Sequence, residues 1–238
     1  MNNKEIRKDD KNIIFPIFAI LFMLAITIVL SGTIYSGINT MSPEIYFYVN
    51  EPVITDVTVE IEDGVTKTFP EVPVSEKIIW KNVRIENDGN IIFNGEKYPY
   101  LYYEGCFKYP QSNYGWIIQK IGDQMFLNNK QITKFDLKLF LREQFERSGL
   151  YDNEISDIMQ RIEENNMLRF SSNYLIIRYI PIKDVNKVIE LKTSFEFSII
   201  RRHFLIQESN EPIDLVIPLY ETIENNGFLI HETAINKI

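Results

Sequence analysis

The chain contains one cysteine, Cys106, and two histidines, His203 and His231, in 238 residues. A single cysteine excludes an intrachain disulfide, so stability has to come from packing. Neither histidine sits in an HExxH or other metal-ligand spacing, and no metal or cofactor is expected. Gly-x-Ser-x-Gly, P-loop and dinucleotide fingerprints are also missing. Basic charge is scarce, with 25 Lys and Arg against 33 Asp and Glu, giving a formal net charge of −8. Binding to phosphate backbones calls for clustered Lys and Arg, so nucleic acid is not an expected partner. No internal repeat or low-complexity tract is present.

One long apolar run is present: Ile13 to Leu30, IIFPIFAILFMLAITIVL, eighteen residues without a charge. A hydrocarbon core about 30 Å thick takes roughly 20 apolar residues as a helix. Pro16 lies in its first turn, where a missing N–H costs least. Lys4, Arg7, Lys8 and Lys11 precede the run, and the next basic residue is Lys67. That bias keeps the short tail in the cytoplasm and places the rest outside. The expected plan is a cytoplasmic tail (1–12), a single-pass transmembrane helix (13–32) acting as a signal-anchor in the cell membrane, a stalk (33–43) and an extracytoplasmic domain (44–238). A cleaved signal peptide, ending near Val29-Ser31 or Ile34-Ser36, is the alternative, and a buried core helix a third.

From Glu44 onward the texture is β. EIYFYV is aromatic and β-branched, DVTVEI alternates, and Asp63-Gly64, Asn87-Asp88-Gly89-Asn90, Asn94-Gly95 and Gly122-Asp123 mark turns. At Thr133 the period becomes helical. Thr133 and Asp136 form a capping box, Leu137, Phe140, Leu141 and Phe145 share a face, and Gly149 sits at the C-cap. Ile155, Ile158, Met159 and Ile162 make a second amphipathic helix, so a helical hairpin is expected over about 133–166. YLIIRYI (Tyr174–Ile180), SFEFSIIRRHFLIQ (Ser194–Gln207), DLVIPL (Asp214–Leu219) and FLIHET return to strand. The fold class is α+β: a β-rich exported domain of antiparallel sheets or a sandwich, with an inserted helical hairpin.

PEIYFYVNEPVITDVTVEI (Pro43–Ile61) resembles an exported-protein pattern of the form "KPVIYLYP…PTDVTVKL". KTFPEV (Lys67–Val72) is similar to its "TYPEY" segment, and KYPYLYYEG (Lys97–Gly105) to its "EYSYLFWEG". SFEFSIIRRHFLI (Ser194–Ile206) and ENNGFLIHETAINKI (Glu224–Ile238) resemble "DTVIRVFMVF" and "RKGFTVVEWGGTEI". Tyr103 stands where the pattern has Trp, and the final Gly-Gly is absent. The family is one of uncharacterised exported or membrane-anchored prokaryotic proteins. The resemblance implies a complete exported domain and no activity.

The candidates for chemistry are few. Cys106, beside Glu104 at a turn, would need a base to become a nucleophile, and His203 or His231 folded onto it would make a hydrolase. The simpler reading is a semi-buried thiol and two strand histidines, His203 exposed or hydrogen-bonded. His231 and Glu232 are adjacent in a strand and should face opposite ways. Tyr98, Tyr100, Tyr102, Tyr103, Tyr109 and Trp116 crowd one stretch. They read as a binding platform or as a core strand with alternating faces. The expected function is a non-catalytic binding or assembly domain displayed outside the membrane for a protein or envelope partner. The alternatives are the hydrolase and an accessory subunit of a membrane complex.

Overall fold

The structure is a computed structural model that describes residues 39–221, 223 and 227–238. The expected cytoplasmic tail, transmembrane helix and most of the stalk lie outside the described residues. Among the described residues, no helix is long and apolar enough to cross a membrane.

Two sheets carry the fold. The larger is built from β1 (Asn39–Met41), β2 (Glu44–Val49), β4 (Val65–Phe69), β8 (Leu101–Phe107), β9 (Tyr114–Ile121), β10 (Gln124–Leu127), β11 (Lys130–Ile132), β12 (Tyr174–Ile180), β14 (Ser198–Ser209) and β15 (Phe228–Lys237). The smaller holds β3 (Val53–Ile61), β5 (Lys77–Ile85), β6 (Ile91–Phe93), β7 (Glu96–Tyr98) and β13 (Ile189–Thr193), in the order β13-β3-β5-β6-β7. The ladder begins at Asn39, inside the segment expected as stalk, where β1 pairs with β8. Helices α1 (Lys134–Arg147) and α2 (Asp152–Glu164) form the expected hairpin. Thr133 caps α1 through a reciprocal box with Asp136, and Gly149 follows its end at φ +89°.

The larger sheet is the middle layer. On one face it packs against the smaller sheet, around Phe47, Trp80, Tyr103, Phe107 and Ile230. On the other it packs against the helical hairpin, around Leu141, Phe145, Ile158, Phe204 and Ile235. β8 shows why the sequence alternates there. Leu101, Tyr103, Gly105 and Phe107 are buried, while Tyr102, Glu104 and Cys106 are half-buried on the opposite face. β14 and β15 lie in the centre with both faces covered, so their buried runs are nearly continuous.

Two features differ from the sequence expectation. β14 and β15 pair in parallel, Arg201 beside Glu232 and Ile206 beside Lys237, while every other strand pair among the described residues is antiparallel. DLVIPL is not a strand: it contributes one bridge, Val216 to Tyr114. Both differences have one cause. Parallel neighbours need a long return connection, and the chain after Ser209 supplies it. Pro212 just before DLVIPL and Pro218 within it withhold the donors a paired strand would need.

Candidate functional site

Three polar or aromatic constellations stand out. The first is half-open, with Phe69 exposed and Tyr98, Tyr100 and Tyr102 half-buried. Phe69 at the end of β4, Tyr98 at the end of β7, and Tyr100 and Tyr102 around the start of β8 form one patch. The Phe69 ring lies 5.2 Å from Tyr98 and 6.4 Å from Tyr100, and Tyr100 lies 5.4 Å from Tyr46 of β2. Each phenol held by a carboxylate follows a simple rule of strand geometry. Residues two apart share a face, so Glu96 takes the Tyr98 hydroxyl at 2.5 Å, Glu104 takes that of Tyr102, and Glu44 takes that of Tyr46 at 2.8 Å. Asp157 of α2 also accepts from Tyr46, at 2.8 Å. Burial, and then the neighbouring carboxylates, push the Tyr46 and Tyr102 hydroxyls upward, so both stay protonated donors. Burial likewise raises Glu44, against the pull of its partner Arg161. Lys67 already lies on this face, its Nζ 5.9 Å from the centre of the Tyr102 ring and 3.5 Å from Glu104.

The second constellation is buried between the sheets. Parallel pairing sets Arg201 beside Glu232, with Nη2 3.2 Å from Oε2, and His203 Nε2 lies 2.8 Å from Glu232 Oε1. Tyr109 bridges to His203 Nδ1 at 2.7 Å. Both histidine nitrogens are therefore committed: Nε2–H faces the carboxylate, and Nδ1 accepts from the phenol. Burial holds the imidazole below its usual range, outweighing the Glu232 carboxylate, so it is neutral at pH 7. Burial pushes the Glu232 carboxyl up, but Arg201, His203 and Tyr103 together bring it below the ordinary carboxylate range. The cluster is thus one ion pair, Arg201 and Glu232, beside a neutral imidazole. Both residues are at most 2% exposed.

The third constellation ties the hairpin to the sheet. Glu154 of α2 is fully buried and accepts from His231 Nδ1 at 2.8 Å, from the Tyr48 hydroxyl at 2.9 Å and from the Tyr151 backbone N–H at 2.7 Å. The Tyr151 and Tyr48 rings pack on His231 at 4.9 Å. His231 and Glu232 do face opposite sides of β15, as alternation requires.

Neither the Protein-family comparison, nor that with curated proteins, nor that with solved structures found a match. The site therefore rests on geometry alone. Of the residues singled out by sequence, Tyr98, Tyr100 and Tyr102 lie together on the open face. Tyr103 is fully buried toward the smaller sheet, and Trp116 is packed on Phe140 and Phe204 under the hairpin. Tyr109 belongs to the His203 cluster. Cys106 and Glu104 share the outer face of β8, and Glu104 is engaged by Tyr102 and Lys67. His203 and His231 bind carboxylates and tyrosine, each on its own side of the sheet, rather than Cys106. His203 is fully buried, not exposed. Among the described residues, no three His, Cys, Asp or Glu side chains group as metal ligands. Phe69, Arg201 and Glu154 escaped the sequence reading as site residues, and Glu232 was considered there only as the neighbour of His231. Acid and tyrosine two apart, as in Glu44-x-Tyr46, Glu96-x-Tyr98 and Tyr102-x-Glu104, is the signal that would have found the aromatic face.

Proposed function

We propose that the chain is a single-pass membrane protein that displays a non-catalytic binding domain outside the cell. The observation that carries this reading is the face of Phe69, Tyr98, Tyr100 and Tyr102. The Phe69 ring meets those of Tyr98 and Tyr100, and the Tyr98 and Tyr102 hydroxyls are anchored on carboxylates. Aromatic side chains fixed in advance bind with little further loss of entropy. Ring faces beside carboxylates suit a cationic group with an apolar stem, and Lys67 lies in such a setting on Tyr102. The partner is accordingly a protein that presents Lys or Arg to this face. The separation of Cys106 from both imidazoles speaks against the hydrolase.

The test uses the full chain in its own membrane. A C-terminal alkaline phosphatase fusion should be active, and an inactive fusion would overturn the exported placement. A photo-crosslinker at Tyr100 should capture a partner, and Phe69→Ala should abolish capture while Leu139→Ala on α1 leaves it intact. Equal capture in both variants would remove the aromatic face from the mechanism.

A further inference from the structure

A cleft of about 680 Å³ opens between the two sheets, away from the aromatic face. One side is β13, the terminal strand of the smaller sheet, paired among the described residues only with β3. The other is the beginning of β14. β12 accompanies β14 only as far as Ile180 opposite His203, after which Pro181 turns the chain into a short helix, α3 (Ile182–Val185). β13 and β14 follow each other through a short link, yet they do not pair. The cleft occupies the space between them.

Its walls and charges are of different kinds. Val188, Leu191, Phe197 and Ile199 make the walls apolar. Glu62 and Glu76 line the cleft with no ion pair among the described residues, whereas Lys77 and Lys187 are engaged by Glu60 and Asp184, each at 2.6 Å. Arg201, only 2% exposed, also lines it. Its Nη1 holds the Ile189 carbonyl and Asn186 Oδ1, both at 2.8 Å, while its Nε has no hydrogen-bond acceptor among the described residues. A buried donor without an acceptor is costly and marks a position that a ligand acceptor can satisfy. Because the Ile189 carbonyl turns toward Arg201, period-two alternation sets the backbone groups of Leu191 along the same outer edge of β13.

We propose that this cleft takes an extended peptide segment of a basic partner protein, added to the outer edge of β13. Main-chain groups would pair with Leu191 and supply a carbonyl to Arg201 Nε. Alternate side chains would be apolar, against Phe197 and Ile199, and basic, against Glu62 and Glu76. Strand addition of this kind draws affinity from the main chain and specificity from alternating pockets. The charge complementarity selects a basic segment over an acidic one. This site does not rest on the aromatic face, and the two are separable by experiment.

The probes are two fluorescein-labelled, end-capped seven-residue peptides, one alternating Lys and Val, the other Glu and Val. They are titrated by anisotropy against the full chain in nanodiscs of uncharged lipid. Saturable binding of the Lys-Val peptide alone is expected. The exposed double variant Glu62→Gln/Glu76→Gln should weaken it by about fivefold to tenfold. Leu139→Ala on the exposed side of α1 should leave it unchanged. Equal binding of the two peptides, or no effect of the double glutamine variant, overturns the proposal. Loss of binding in Tyr100→Ala with none in the glutamine variant moves the peptide to the aromatic face, refuting the cleft while leaving the proposed function standing.

Discussion

Glu232→Gln tests the central claim about the buried cluster, because it removes a charge while nearly preserving volume. Glu232 is fully buried and lies 3.2 Å from the Arg201 guanidinium and 2.8 Å from His203. Breaking a buried ion pair from one side costs about 3–5 kcal/mol, since the remaining charge is left uncompensated. Arg201 keeps two hydrogen bonds to Ile189 and Asn186, so the lower end, about 3 kcal/mol, is expected. For a domain of this size that corresponds to a fall of about 6–12 °C in melting temperature. The pH dependence adds a second readout. Glu232 has its folded pKa lowered, so its contribution is full above the unfolded value of 4.5 and is lost as pH falls through the folded value. The gap between wild type and variant should therefore be constant near neutrality and narrow below pH 4.5. Calorimetry across pH 3.5–8 measures both. A drop of less than about 2 °C at pH 7, under 1 kcal/mol for a domain of this size, or a gap that fails to narrow in acid, would refute the ion-pair argument.

His203 gives a related expectation. Its folded pKa is lowered, so the unfolded chain binds its proton first, and wild-type stability should begin to fall as pH drops below about 6.5, the unfolded histidine value. His203→Gln should remove that part of the slope. Glu154→Gln weakens the acceptor for His231, Tyr48 and the Tyr151 N–H, at a cost of about 2 kcal/mol; hydrogen exchange should rise in α2 before the central strands. Gly115→Ala should abolish folding of the domain. An added Cβ would overlap the Ile177 carbonyl across the β9–β12 ladder, and soluble, cooperatively melting protein would contradict this. Cys106→Ser should change stability by less than about 0.5 kcal/mol and leave partner capture intact, because the half-buried thiol serves neither histidine.

The helical hairpin was legible because its signals are local. Thr133 and Asp136 lie three residues apart, and Leu137, Leu141 and Phe145 recur at helical spacing. The strands of β3, β5 and β8 were legible for the same reason, through alternation of buried and exposed positions. Alternation also separated His231 from Glu232 and split the tyrosines of β8 between two faces. DLVIPL was misread because its apolar character outweighed Pro212 before it and Pro218 within it, and its role as a return connection depends on where the chain must go next.

Pairing across the chain could not be read this way. Glu232 meets Arg201 because β15 lies parallel to β14, and nothing local to either segment fixes direction or register. Glu154 and His231 are seventy-seven positions apart and meet only because the hairpin docks on the β15 face of the sheet. The sequence by itself determined the acidic character, the absence of a disulfide and the periodicities that set each element and its buried face. Tertiary structure alone decided which polar side chains were to be buried together and which aromatic rings were left in the open. The reason is physical: periodicity acts between near neighbours, whereas the partner of a buried charge is set by strand order and layer stacking.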